Sequence, residues 1–203
     1  MGAQDCLNTL RQIKDVSFAT VDEEGYPQIR IIDVMLVDDG ALFFCTSRGK
    51  DFHVQLLRDP HVAIVGMTRD YKMIRLAGEA RLVEKDAHAL IDRIFDENPS
   101  MNDVYPGDSR YVLDPFRIDT GCVKLFDLGV SPIFRQTFSL GGAATHVRGF
   151  VITDACIGCG KCARSCPQKC ITPGKPFVIA QEHCLHCGLC FENCPVSAIK
   201  RRS

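Results

Sequence analysis

The sequence contains no apolar run approaching the roughly 18 residues that a membrane-spanning helix needs. Its opening residues, Met1 to Arg11, also lack a positive segment followed by a continuous apolar one, so no secretory leader is expected and a cytoplasmic location is. Net charge is nearly absent, at -1 over 203 residues with histidine neutral. The regular alternation of strand and helix that builds a parallel sheet is missing too, which argues against a doubly wound α/β fold.

What is present is the composition of a globular protein, with 46% hydrophobic and 24% charged residues, enough apolar material for a true core. The length predicts one domain of about 150 residues and a smaller appendage. Charge divides the same way. Residues 1–148 hold 17 Lys and Arg against 22 Asp and Glu, whereas residues 149–203 hold 7 against 3. The basic end at Lys200, Arg201 and Arg202 has no interleaved aromatic residues and reads as a solvated tail, not a nucleic-acid surface.

Leu7, Leu10 and Ile13 fall at helical spacing and predict a short amphipathic helix over Cys6 to Ile13. Strands are predicted at Val16 to Val21, Gln28 to Val37 and Ala41 to Thr46, separated by turns at Glu24-Gly25 and Asp39-Gly40. Ser47 is placed to cap a helix running from about Lys50 to Arg58, which stops before Pro60. Strands over His61 to Met67 and Met73 to Val83, a helix over Asp86 to Phe95 and a last strand over Gly121 to Leu128 complete this part. The fold class expected is mainly β: an antiparallel β-barrel with short helices over residues 1–140, a small-residue linker over 141–149 around Gly141-Gly142-Ala143-Ala144-Thr145, and a small α+β domain over 150–203. Barrel closure would remove exposed sheet edges.

Nine of the 12 cysteines fall between Cys156 and Cys194. Two segments repeat at an offset of 28: Cys156-Ile-Gly-Cys159-Gly-Lys-Cys162-Ala-Arg-Ser-Cys166-Pro167 and Cys184-Leu-His-Cys187-Gly-Leu-Cys190-Phe-Glu-Asn-Cys194-Pro195. Without a leader, this spacing favours metal over a disulfide framework, and a reducing compartment low in oxygen. Paired Cys-x-x-Cys motifs can bind zinc. The eight-cysteine pattern with two Cys-Pro steps instead resembles bacterial two-cluster ferredoxins, over about Phe150 to Lys200. That resemblance implies two 4Fe-4S clusters. It assigns Cys156, Cys159, Cys162 and Cys194 to one cluster, and Cys184, Cys187, Cys190 and Cys166 to the other. Gly158, Gly160 and Gly188 let the backbone approach sulfur. Cys170 maps onto Ala198 in the second repeat and reads as a small core residue. Ferredoxins of this type are commonly acidic, so the basic module here fits a fused wire that meets an acidic domain or donor.

Residues 1–148 show no comparable ligand pattern, and His53, His61 and His88 are scattered over different elements. Cys45 and Cys122 sit in predicted strands as small hydrophobes. An organic cofactor is the better acceptor for cluster electrons. Arg30 lies on a strand, in Gln28-Ile29-Arg30-Ile31-Ile32-Asp33, and Cys45-Thr46-Ser47-Arg48-Gly49-Lys50 joins a strand end to a helix start, where hydroxyls, amides and basic side chains suit a phosphate. Read alone, Ser47 could equally be a simple N-cap and Lys50 a solvated side chain.

Those two segments, with Gly25-Tyr-Pro27, Phe43-Phe44 ahead of Cys45, Arg58-Asp59-Pro60-His61-Val62 and Arg75-Leu76-Ala77-Gly78-Glu79-Ala80, follow an order that resembles the pyridoxamine 5'-phosphate oxidase-like, FMN-binding split-barrel superfamily over about residues 5–130. The resemblance implies a split β-barrel forming a homodimer with FMN at the subunit interface. It assigns the FMN phosphate to Arg30 and Lys50 with Thr46 and Ser47, beside Cys45, and lays Ile31, Ile32 and Asp33 along the flavin. The name-giving enzyme ends in an Arg-Leu-x-Pro run near its substrate, which the linker and cysteines replace here, so pyridoxal phosphate synthesis is not expected.

Together these readings predict an FMN-dependent reductase. A low-potential donor (a ferredoxin, flavodoxin or reductase) would load two 4Fe-4S clusters, and electrons would pass through FMN to a small organic acceptor such as a nitro compound or another flavin. Relatives resembling nitroimidazole and flavin reductases suggest those acceptors. The alternative is an electron-transfer protein that relays charge to a protein partner and has no small substrate of its own. No catalytic acid or base is assigned, because flavin chemistry needs only orientation and electrostatics from the protein.

Overall fold

A computed structural model of the chain describes residues 1–146 and 148–202. Val147 of the expected linker and Ser203 of the expected cluster domain lie outside them. The chain opens with α1 (Ala3–Ile13), whose apolar stripe buries Cys6, Leu7 and Leu10. Next come β1 (Asp15–Val21), β2 (Pro27–Asp33), β3 (Leu36–Asp38), β4 (Ala41–Ser47), α2 (Asp51–Arg58), β5 (His61–Met67), β6 (Lys72–Glu79) and β7 (Arg81–Leu82). Then follow α3 (Ala87–Glu97), α4 (Met101–Val104), a 3-10 turn over Gly107–Val112, β8 (Leu113–Ile118), β9 (Gly121–Asp127) and β10 (Phe134–Leu140). The cysteine-rich part holds β11 (Gly149–Ile152), α5 (Lys161–Ser165), β12 (Ile171–Thr172), β13 (Val178–Ile179), α6 (Leu189–Glu192) and β14 (Ile199–Arg202).

The chain divides into two compact units. One comprises Met1–Thr68, Ile74–Val123 and Phe138–Ala144; the other comprises Arg69–Met73, Lys124–Thr137 and Thr145–Ser203. In the first, β1 and β2 pair antiparallel from Asp15 opposite Asp33 to Val21 opposite Pro27. The β3–β4 hairpin turns on Asp39 and Gly40, both at positive φ (43° and 72°), the geometry that matches strand twist in a two-residue loop. β1 turns Val16, Phe18 and Thr20 inward by simple alternation. Phe18 meets Phe44 and Phe52 edge-on with ring centroids 5.0 and 5.2 Å apart, and Phe44 stacks on Phe116 at 5.6 Å. A second core gathers Met35, Leu36, Cys45 and Leu113 under Ile91, Ile94 and Phe95 of α3.

The closed barrel expected from the sequence does not form. The strands make a six-stranded sheet of order β10-β9-β6-β5-β1-β2 and a four-stranded sheet of order β3-β4-β8-β7, with no pairing among the described residues that joins the ends. The end strands of the smaller sheet, β3 and β7, are three and two residues long. Ladders so short cannot carry the stagger a closed barrel requires. What stands is an antiparallel β-sheet fold with short helices. Two expected strands are also each broken in two: Gln28 to Val37 becomes β2 and β3, and Met73 to Val83 becomes β6 and β7. The N-cap of α2 is Lys50, without a side-chain cap, and the Ser47 carbonyl accepts the Lys50 N–H at 3.1 Å.

In the second unit, β11 pairs antiparallel with β14, Gly149 opposite Arg202, and β12 pairs antiparallel with β13. Sheets of two short strands cannot hold a domain by themselves. The core here is Phe150, Ile152, Ile171, Ile179 and Ile199 together with buried cysteines, so sulfur forms a large share of what is packed.

Candidate metal centres and cofactor site

The 28-residue repeat extends to backbone torsions. Gly160 (φ 69°) and Gly188 (φ 86°) are the N-caps of α5 and α6, both left-handed. Lys169 (φ 52°) and Ser197 (φ 50°) form a second equivalent pair, and Gly158 (φ 73°) has His186 (φ 58°) as its counterpart. Left-handed torsions at matching offsets wrap each Cys-x-x-Cys-x-x-Cys run in a similar way. As a result one cavity is lined by Cys156, Cys159, Cys162 and Cys194 with Ile152, Pro195 and Ile199. The other is lined by Cys166, Cys184, Cys187 and Cys190 with Phe150 and Ile171, and also by Cys170. In each, the fourth cysteine comes from the other repeat.

Among the described residues no three or more His, Cys, Asp or Glu side chains converge tightly enough to hold a metal ion. The sulfurs instead stand around two apolar cavities, an arrangement whose chemistry fits a body larger than one ion. Amides face them: the Ala198 N–H lies 3.2 Å from Cys194 Sγ and the His186 N–H 3.4 Å from Cys184 Sγ. Hydrogen bonds from Phe177 and Gly158 amides lower the Cys156 thiol from its ordinary value, while burial pushes Cys190 up to about 11.

A basic cleft of about 510 Å³ opens beside the second set, lined by His146, Arg148, Gly149, Phe150, His186, Arg201 and Arg202. Burial, then the charges of Arg135, Arg202 and Lys124, push His186 down to about 4, so the imidazole is neutral and the cleft's charge is guanidinium. Gly149 is required there. At its φ of 129° a Cβ would stand 2.6 Å from Gln181 Oε1 and 2.8 Å from His186 Nε2.

In the first unit β2 ends its sheet, and its alternation sends Gln28, Arg30 and Ile32 to one face and Ile29 and Ile31 to the other. Ile29 and Ile31 are 72% and 62% exposed, an apolar stripe on an edge strand. Arg30 is half-buried. Its guanidinium bonds Thr20 Oγ1 and Gln55 Oε1, the latter at 2.9 Å, and lies 4.6 Å from the centre of the Phe52 ring. Burial lowers the Arg30 pKa from its ordinary value, yet a guanidinium stays charged. Asp33 ion-pairs with Lys14 at 3.5 Å, and burial raises its pKa.

On β4, Cys45 is buried with Sγ 3.3 Å from Met35 Sδ, and burial pushes its thiol up to about 12, which marks it as packing and not a nucleophile. Thr46 is 3% exposed and its Oγ1 has no hydrogen-bond partner. Such an orphan buried beside Ser47 and Lys50 is the feature that best fits a polar ligand. Lys50 is exposed and makes no ion pair among the described residues. A cleft of about 480 Å³ bordered by Asp22, Glu23, Glu24, Asp51, Gln55 and Arg58 lies nearby, but four carboxylates against one guanidinium repel a phosphate.

Thr20, Phe52 and Gln55, which hold Arg30, were not foreseen. No local signal announces them, because Gln55 is 25 residues away on α2. The same holds for Asp114 on β8, opposite Thr46, which accepts from Arg48 Nη1 at 2.9 Å and bonds His53 Nε2 at 2.7 Å. This triad ties the β4–α2 turn to the sheet. Asp114→Ala leaves a nearly buried imidazole nitrogen unpaired and is expected to cost about 2 kcal/mol. A lowered urea midpoint at unchanged slope is the readout; an unmoved midpoint would show that water replaces the carboxylate.

Residues 4–109 match the family described as pyridoxamine 5'-phosphate oxidase, and residues 155–198 match the 4Fe-4S dicluster domain. No curated protein matches the chain. Among solved structures, a NimC/NimA family protein from Clostridium acetobutylicum is 23% identical, covers 68% of this chain and 92% of its own, and superposes with a TM-score of 0.59. A Clostridium acetobutylicum protein related to general stress protein 26 of B. subtilis is 13% identical, with 67% and 95% covered and a TM-score of 0.53. A putative pyridoxamine 5'-phosphate oxidase from Listeria innocua is 20% identical, with 63% and 98% covered and a TM-score of 0.50. At identities this low the superposition shows a shared fold and nothing more.

Proposed function

The chain belongs to the pyridoxamine 5'-phosphate oxidase family, its matching segment joined to one of 4Fe-4S dicluster type, and from that premise we propose that it is an iron-sulfur flavoprotein reductase. The observation that carries this reading is the gathering of the eight motif cysteines, four and four across the repeats, around two cavities. When bound, the clusters would supply one-electron carriers, and FMN a centre that accepts electrons singly and releases them in pairs. Cys156, Cys159, Cys162 and Cys194 would hold one cluster, and Cys166, Cys184, Cys187 and Cys190 the other. Arg30, Lys50, Ser47 and Thr46 would take the FMN phosphate, the orphan Thr46 hydroxyl gaining its missing partner. Ile31, Ile32 and Asp33 of β2 would border the flavin, and Cys45 would do so through its backbone, since its side chain packs against Met35.

An oxidase disposes of electrons to oxygen and needs no ferredoxin module, so the direction proposed is reduction of a small organic acceptor, a nitro compound or a flavin. A homodimer would cover the exposed Ile29 and Ile31 stripe on β2. Anaerobic purification with iron, acid-labile sulfide and released FMN assayed per chain is the test. About eight iron, eight sulfide and one FMN are expected from two 4Fe-4S clusters and one flavin. Iron and sulfide without flavin, even after reconstitution, would sink the reductase reading.

The basic cleft supports an acidic electron carrier, a ferredoxin or flavodoxin, as the donor. Its rate of reducing the clusters is expected to fall about tenfold as salt rises from low to about 0.5 M, and Arg202→Glu to lower the low-salt rate similarly. Stopped-flow bleaching of the clusters reads this; a salt-independent rate would place docking elsewhere. The same cleft favours the second reading, a relay to a protein partner. Saturable reoxidation by small acceptors separates the two, since a relay shows none.

A further inference from the structure

The two cysteine repeats differ at four positions that line a cavity, and at one of these the difference is a sulfur. The 28-residue offset maps Cys170 onto Ala198. Ala198 lines the cavity of Cys156, Cys159, Cys162 and Cys194, whereas Cys170 lines that of Cys166, Cys184, Cys187 and Cys190. One cavity therefore has four sulfurs and the other five. Cys170 is 6% exposed, and its Sγ lies 3.6 Å from Cys166 Sγ. A thiol can donate a weak hydrogen bond where a methyl cannot.

Each cluster takes four thiolates, and the second cavity has four without Cys170. A fifth thiol against a ligating sulfur acts through that sulfur. Its S–H draws electron density from the Cys166 thiolate and favours the reduced state, which carries one more negative charge; hydrogen bonds to cluster sulfurs are an established lever on potential. We propose that Cys170 is a positioning residue whose thiol donates an S–H···S hydrogen bond to Cys166 and raises the potential of the cluster in the five-sulfur cavity. The first cavity has no counterpart, because Ala198 offers it only a methyl. This donor, taken by itself, biases electrons toward the five-sulfur cavity. The inference rests on the reading of both cavities as cluster sites.

The test uses the full chain, purified anaerobically. Iron and sulfide are assayed first, followed by a redox titration monitored by the electron paramagnetic resonance of the reduced clusters. Cys170→Ala is expected to keep about eight iron. One cluster should shift downward so that its reduced-to-oxidised ratio at a fixed potential falls about tenfold, which is about 59 mV for a one-electron couple. The other cluster should not move. Cys170→Ser, which keeps a donor of similar size, should remain close to the parent. Unmoved potentials in Cys170→Ala would overturn the proposal, as would equal shifts in Cys170→Ala and Cys170→Ser, which would make the effect one of packing. Loss of half the iron from Cys170→Ala would also overturn it by making Cys170 a ligand. A parent protein without iron would overturn both this inference and the cluster reading, and is recognised before any titration begins.

Discussion

Cys194→Ala is expected to remove about four of about eight iron atoms, and the cluster lost should belong to Cys156, Cys159 and Cys162, which lie more than 30 residues earlier. The proposed ligand sets cross, since Cys194 lines the cavity of the first repeat and Cys166 that of the second. Double variants make the crossing measurable. Adding Cys156→Ala to Cys194→Ala should cost no further iron, because both act on one cluster; adding Cys184→Ala should remove the rest. The reverse pattern would mean that each repeat binds its own cluster. Stability should fall as well. Buried Cys162, Cys166, Cys184 and Cys190 are part of the core of this unit, whose paired strands are only two to four residues long. A small module of that kind draws much of its folding energy from ligation. Iron analysis together with a thermal melt, each on the anaerobic protein, tests both consequences.

Arg30→Ala is expected to weaken FMN binding by about 10- to 100-fold, the loss of about 1.5–3 kcal/mol that a charge-assisted hydrogen bond to phosphate provides. Fluorescence titration of the flavin-free protein with FMN measures it. The cost to the flavin-free fold should be smaller, because Thr20 Oγ1 and Gln55 Oε1 remain bonded to each other at 2.6 Å when the guanidinium goes. What is lost there is mainly the stacking of Arg30 on Phe52, worth about 1 kcal/mol. Arg30→Lys should recover only part of the affinity, since an ammonium keeps the charge but not the planar fork. Unchanged FMN affinity in Arg30→Ala, with the stability loss present, would reduce Arg30 to a brace between β2 and α2.

Local spacing explains why some of this was legible in advance. The cysteine repeats could be read directly because cysteines at i, i+3 and i+6 and glycines at equal offsets express a constraint that acts within a dozen residues. Helix α1 and strands β1 and β5 were legible for a similar reason, their apolar periods being uninterrupted. Strands β8 and β10 were not: Pro115 lies within β8, where proline usually argues against a strand, and β10 reads Phe-Arg-Gln-Thr-Phe-Ser-Leu with little apolar alternation. Pairing with the distant β4 and β7 holds β8, and β10 is held as the end strand beside β9.

The sequence by itself determined the chemistry on offer, namely which cysteines repeat, where the charge changes sign and which segment carries arginine and lysine suited to phosphate. Only the tertiary structure decided that the sheets stay open, that Arg30 is held by Thr20, Gln55 and Phe52, and that Cys170 stands at the second set of sulfurs. The difference is one of range. Ligand spacing and turn chemistry act over a few residues, whereas sheet closure, strand facing and contacts between elements depend on pairings 10 to 87 residues apart, such as Arg30 with Thr20 and Arg11 with Asn98.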